Sequence, residues 1–198
     1  MSSLHRKPLT SGKRACLIAA GAAVLAIGNS VTPSMAAASP VPSRAHYQLP
    51  MNSGISYLPA RVDLQNVPSG TWVNTGLQVT LPTAGTYALD LNVRTRLNGV
   101  PPFNVFIVGR LWNVTAGSAL PNSERILHQI ADHTGQGAGQ IGNNRTAPIS
   151  ERITVTGPTT IRLDVQRNDA NGRSNAAAVW IDANGRTSFR FNRIFNFS

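Results

Sequence analysis

Trp72, Trp112 and Trp180 are the side chains best suited to hold a ligand. An exposed indole stacks on the apolar face of a sugar, and a buried one fills a core. Trp72 and Trp180 are the candidates for ligand contact. Trp112 shares a strand face with Phe106 and Val108, in a run that is apolar on both sides. Such a strand must be covered on both faces, by a second sheet and by a neighbour or another subunit.

Catalytic chemistry finds little support. His128 and His133 lie close together with Asp132 between them, but no third ligand sits at a zinc spacing. No serine stands in a nucleophile elbow that would make His128 the base of a hydrolase. Glycoside hydrolysis needs two carboxylates facing one bond. Asp90, Glu124, Glu151 and Asp164 are dispersed, and Glu124-Arg125 and Glu151-Arg152 read as surface ion pairs. Asp169-Ala170-Asn171-Gly172-Arg173 recurs as Asp182-Ala183-Asn184-Gly185-Arg186. The oxygens suggest calcium, yet the bidentate Glu of a calcium loop is missing. Two hairpin tips using Asn-Gly are the simpler reading. Phosphate-loop and dinucleotide motifs are absent. No catalytic residue, metal or cofactor is expected, and the chain reads as a non-enzyme.

The N-terminus has the three parts of a secretory signal: Arg6, Lys7, Lys13 and Arg14, then the apolar run Ala15 to Gly28, then Ala36-Ala37-Ala38. The apolar run falls short of the ~20 residues needed to span a bilayer. Cleavage is expected after Ala38, with a cut after Ala36 the alternative, so the membrane is met only during export and the protein is secreted, outside the cell or at its surface. Cys16, the one cysteine, leaves with the signal, so no disulfide braces the mature chain.

The whole chain carries 18 Lys and Arg against 8 Asp and Glu, a net charge of +10. The only lysines, Lys7 and Lys13, lie in the signal. The mature arginines are scattered singly, without a phosphate-binding stripe, so nucleic acid is not an expected partner.

Residues 39–54 are rich in Ser, Pro and Ala and read as a mobile arm. Residues 55–198 read as one all-β domain. Tyr87, Leu89, Leu91 and Val93 alternate with polar residues, as do Ile161, Leu163 and Val165. That period of two marks half-buried strands. Leu77 to Leu81, Glu151 to Val155 and Phe189 to Ile194 are shorter examples. Gly157-Pro158, Asn171-Gly172 and Asn184-Gly185 read as tight hairpins. Thr134 to Pro148, with four glycines among Gln and Asn, reads as a long exposed loop. About eight to ten antiparallel strands at this spacing predict a β-sandwich of the jelly-roll kind.

One stretch resembles a known family. Trp72-Val73-Asn74-Thr75-Gly76 leads to Val79-Thr80-Leu81-Pro82 and then Ala84-Gly85-Thr86-Tyr87-Ala88-Leu89. This is similar to the early strands of the C1q and tumour-necrosis-factor-like jelly rolls. Ser188-Phe189-Arg190-Phe191 with Ile194-Phe195 is similar to their aromatic last strand. The resemblance implies a homotrimer with Phe106, Val108, Trp112, Phe189 and Phe191 facing a neighbouring subunit. It implies recognition of a ligand, without catalysis. A carbohydrate-binding, lectin-like sandwich is the alternative, and either a carbohydrate or a protein would serve as ligand.

Overall fold

The computed structural model describes residues 52–135 and 139–195. The expected signal segment and its expected cleavage site, Cys16, His46 and the expected arm up to residue 51 lie outside them.

The described chain is all β. Its strands are β1 (Ser53–Tyr57), β2 (Val62–Asp63), β3 (Val73–Leu81), β4 (Gly85–Gly99), β5 (Phe103–Asn113), β6 (Ser118–Ala119) and β7 (Arg125–Asp132). They continue as β8 (Ile141–Val155), β9 (Thr159–Asn171), β10 (Ser174–Val179), β11 (Ile181–Asp182), β12 (Gly185–Arg186) and β13 (Ser188–Ile194). β1 already begins at Ser53, so the end of the expected arm belongs to the sheet.

Two antiparallel sheets face each other. In the first, β4 lies between β8 on one side and β13 with β10 on the other, and β1 and β2 form the far edge. In the second the order is β3-β9-β5, with β6 and β7 both along the outer side of β5. β10 and β13 are two halves of one strand. β10 pairs with Thr95 to Gly99 of β4, and β13 pairs with Thr86 to Asn92 on the same edge. Between them the chain leaves the sheet as the short hairpin β11–β12, the finger. Counted this way there are eight main strands. The first pairs with the eighth, the second with the seventh, the third with the sixth and the fourth with the fifth. That nesting is the jelly roll.

The core is the inner face of each alternating strand. Leu77 and Leu81 of β3, Leu89 and Leu91 of β4, and Leu163 and Val165 of β9 are buried. Tyr87 meets Phe191 edge to face, with ring centroids 5.9 Å apart. Its hydroxyl donates to the Thr83 carbonyl at 3.0 Å, so the buried phenol is satisfied.

Three expectations fail in informative ways. Gly157-Pro158 and Asn171-Gly172 do not close hairpins, because each links a strand of one sheet to a strand of the other. Among the three, only the Asn184-Gly185 region is a hairpin, with Ala183 and Asn184 at its tip. The loop expected from Thr134 to Pro148 is mostly strand. Ile141 to Pro148 forms the first half of β8 and pairs residue by residue with Asn92 to Gly99. Its side chains from Ile141 to Thr146 are exposed, so it is held by the backbone ladder and by a side-chain hydrogen bond between Asn143 and His128. No apolar period was there to read.

Phe189 and Phe191 are 0% and 5% exposed and belong to the core. They are therefore not available to a neighbouring subunit, and that part of the expected interface is corrected.

Two left-handed glycines separate strain from collision. Gly117 has φ +67° with open space around its missing Cβ, whereas at Gly172, φ +65°, a Cβ would strike the Pro102 carbonyl oxygen. Gly117→Ala should cost about 1–2 kcal/mol from backbone strain alone. Gly172→Ala should cost clearly more, which urea unfolding of the two variants will measure.

Candidate functional site

The outer face of the second sheet gathers chemistry from strands distant in sequence. Alternation turns Arg110 and Trp112 of β5 outward, and pairing sets Asp164 and Arg162 of β9 opposite them. Trp72 stands just before β3, whose Asn74 pairs with Asp164. Its indole reaches across β9, so that the Arg110 guanidinium lies 4.0 Å from the Trp72 ring and 4.8 Å from the Trp112 ring. Arg162 grips Asp164 through Nε at 2.7 Å and Nη2 at 3.3 Å. Arg110 Nη2 is 3.8 Å from the same carboxylate. Phe106 and Val108 continue this face along β5, and Ile126 of β7, 57% exposed, sits beside Val108. The two-sided apolar run of β5 thus has its inner half in the core and its outer half here. Val108 is 8% exposed, covered within the chain itself.

Trp180 is elsewhere, at the base of the finger. Its Nε1 donates to Asp182 at 2.7 Å, and Arg61 and Arg96 lie 4.7 and 5.6 Å from its ring. Asp182 also accepts from Arg94 Nη1 at 2.5 Å and from the Asn184 amide at 2.8 Å. These donors, Arg94 foremost and then Trp180, hold the Asp182 carboxyl at a pKa of about 2. The two expected ligand tryptophans therefore do not share a site. Trp72 joins Trp112 instead.

The two copies of the Asp-Ala-Asn-Gly-Arg repeat play different roles. Asp182 organises the finger tip, whereas Asp169 accepts from the Ser174 amide and hydroxyl at the crossover into β10. Among the described residues no group of three or more His, Cys, Asp or Glu is arranged to hold a metal ion. The carboxylates weighed as catalytic stand apart. Asp90 accepts from Ser150, and Glu151 pairs with Arg125 at 2.6 Å rather than with its neighbour Arg152.

His128 is a core residue. The β7 register slips between Ile126 and His128, which leaves Leu127 as an extra residue. Both Leu127 and His128 turn inward as a result. Gly109 leaves room for this, since a Cβ there would lie 2.7 Å from Leu127 Cδ1. His128 Nδ1 is 3.0 Å from Thr95 Oγ1, and Nε2 is 2.6 Å from Asn143 Oδ1. A proton on Nε2 lets it donate to Asn143 Oδ1, and the single Thr95 hydroxyl proton is then shared between Nδ1 and the Arg145 carbonyl, 3.3 Å away. The residue thereby ties β4, β7 and the exposed half of β8 together. Asp132, on the same strand, accepts from the Thr134 amide and hydroxyl instead.

A depression of about 540 Å³ lies at one end of the sandwich beside Gln65, Ser69, Asp169 and Arg173. Arg167 forms its floor and donates to the carbonyls of Gln65 and Val67, which anchors that loop.

No protein-family model matches the chain, and no curated protein matches it. Among solved structures, similar chains include the infectious bursal virus-derived T=1 particle, with a TM-score of 0.43 and 10% identity over 71% of this chain and 31% of that one. The infectious bursal disease virus VP2 subviral particle has a TM-score of 0.41 and 11% identity over 71% and 32%. The chain thus spans about a third of those proteins' length. The jelly-roll assignment stands on the strand pairing described above.

Burial pushes the His128 pKa below its ordinary value; the Asn143 hydrogen bond opposes this and the Arg145 charge adds to it. The folded state then binds fewer protons than the unfolded state, whose histidine titrates near ~6.5. Stability should fall as pH drops below that value. Urea midpoints at pH 7.5 and 5.5 should differ more for the native chain than for His128→Gln.

Proposed function

We propose that this chain is exported and acts outside the cell as a non-enzymatic recognition module, meeting its ligand with the outer face of the β3-β9-β5-β7 sheet. The observation that carries the reading is the packing of the half-buried Trp72 and Trp112 rings against Arg110 on the outer face of this sheet. The outer face of the other sheet is built over its centre from Asp90, Asn92, Ser150 and Arg190. Large, rigid aromatics beside fixed polar groups suit recognition, because few rotamers are lost on binding. Export rests on the charged, apolar and small-residue parts of the N-terminus. The lectin-like form of this reading takes a saccharide as ligand.

A C1q-like homotrimer is the second reading. Ile126 at 57% exposed, beside Phe106 and Val108, favours it. Charged residues at the centre of the face weigh against it, because the buried centre of an interface is depleted in charge.

The two readings compete for one surface. Sedimentation of the mature protein over a hundredfold concentration range should give a monomer. A constant trimer that Ile126→Asp disperses would assign the face to self-assembly. Titration with a polysaccharide panel should quench tryptophan fluorescence, and Trp72→Ala should abolish the response. Silence across the panel would sink the lectin-like form.

A further inference from the structure

We propose that Arg110 is the reading group of this face and that its ligand is an acidic saccharide whose carboxylate docks on the guanidinium; the inference rests on the recognition reading and names its chemistry. A guanidinium has five N–H donors and no acceptor. The Arg110 side chain is 16% exposed. Its Nε is buried without a hydrogen-bond partner. The nearest carboxylate oxygen, on Asp164, is 3.8 Å away, too far for a hydrogen bond. Asp164 is already engaged by both Nε and Nη2 of Arg162. A buried donor left unmade is costly, and such groups in native proteins call for an explanation.

Arg167 provides the contrast. It is more deeply buried, at 7% exposed, and its Nε too lacks a partner. Yet its Nη1 and Nη2 donate to Gln65, Val67 and Ser174 and clamp a loop. Arg110 clamps nothing. It is held instead by the Trp72 and Trp112 rings, which fix its plane without using its donors. A planar fork held in place with open N–H groups matches a carboxylate in two-point fashion. The charge balance agrees. Arg110 and Arg162 share the single carboxylate of Asp164, which leaves one positive charge for the ligand to neutralise. The flanking indoles provide apolar surface for the C–H face of a sugar ring. A protein carboxylate would meet the fork equally well but would leave the indoles without a ring to stack on.

The test is a fluorescence titration of the mature protein at 0.15 M salt with three probes: oligogalacturonate, the same oligosaccharide with its carboxyls reduced to alcohols, and poly-L-glutamate. Native protein should bind oligogalacturonate at least tenfold more tightly than either of the others. Arg110→Lys keeps the charge and loses the fork, and it should lose most of that preference while melting within a few degrees of native. Arg162→Gln should weaken binding less. Equal binding of the reduced oligosaccharide would overturn the acidic class and leave the recognition face standing. Equal binding of poly-L-glutamate would move the ligand to an acidic protein. Unchanged selectivity in Arg110→Lys would remove Arg110 from the role. No response to any probe, together with silence across the wider panel, would end both this inference and the reading beneath it.

Discussion

The fold depends on the complete pairing of β4. All fifteen of its residues, Gly85 to Gly99, face a partner in β8. Its other edge is covered by β13 and then β10. The edge would be open at Arg94, where the chain leaves to make the finger. The Trp180 amide closes it by donating to the Arg94 carbonyl at 2.9 Å, and the Arg94 amide donates to Thr187 Oγ1 at 2.9 Å. The eighth strand is therefore interrupted without leaving these central groups of the sheet unpaired. A hairpin can be inserted there because the Trp180 amide and the Thr187 hydroxyl together take over the ladder.

That closure joins charge to packing in ordering the finger, whose Ile181 also packs against the core. Arg94 donates its amide to Thr187 and sends its guanidinium outward to Asp182 and the Gly185 carbonyl. Trp180 uses its backbone to seal the ladder and its indole N–H to hold Asp182. Every polar end of Trp180 is engaged in structure, and the Arg61 and Arg96 guanidinium groups lie over its ring. Trp72 and Trp112 carry no such duties. A tryptophan that completes the fold and a tryptophan that flanks an unbonded guanidinium look alike in sequence.

Legibility followed the apolar period. The strand around Leu89, the strand around Leu163, and β3 with Leu77, Val79 and Leu81 were readable because each turns one apolar face to the core. The first half of β8 was not, because Gly142, Asn143 and Asn144 bury nothing and gain their conformation from β4. Turn chemistry marked where the chain bends but not where it goes. Asn171-Gly172 bends the chain from one sheet to the other, whereas Ala183-Asn184 returns it along itself. Phe189 and Phe191 show the same limit in another form. Alternation placed them on one face, and only the partner sheet decided that this face was inward.

The candidate site was legible only in its parts. Arg110 and Asp164 lie on β5 and β9 and Trp72 just before β3, brought together because the seventh strand pairs with the second on one side and the fourth on the other. No spacing rule connects residues so far apart. The relation emerges from register: Asn74 stands opposite Asp164, and Asp164 stands opposite Arg110, so the row across the sheet is set by backbone pairing. Given that row, a large ring just before β3 has one place to lie, across β9 and over the guanidinium. The β3 register is irregular between Asn74 and Gln78, where Gly76 adopts φ +74° and its amide donates to Asn74 Oδ1. A bulge of this kind re-aims the residues before it. The glycine in Trp72-Val73-Asn74-Thr75-Gly76 thus marks where the register that carries Val73 and Asn74 past β9 ends, just beyond the row that holds the site.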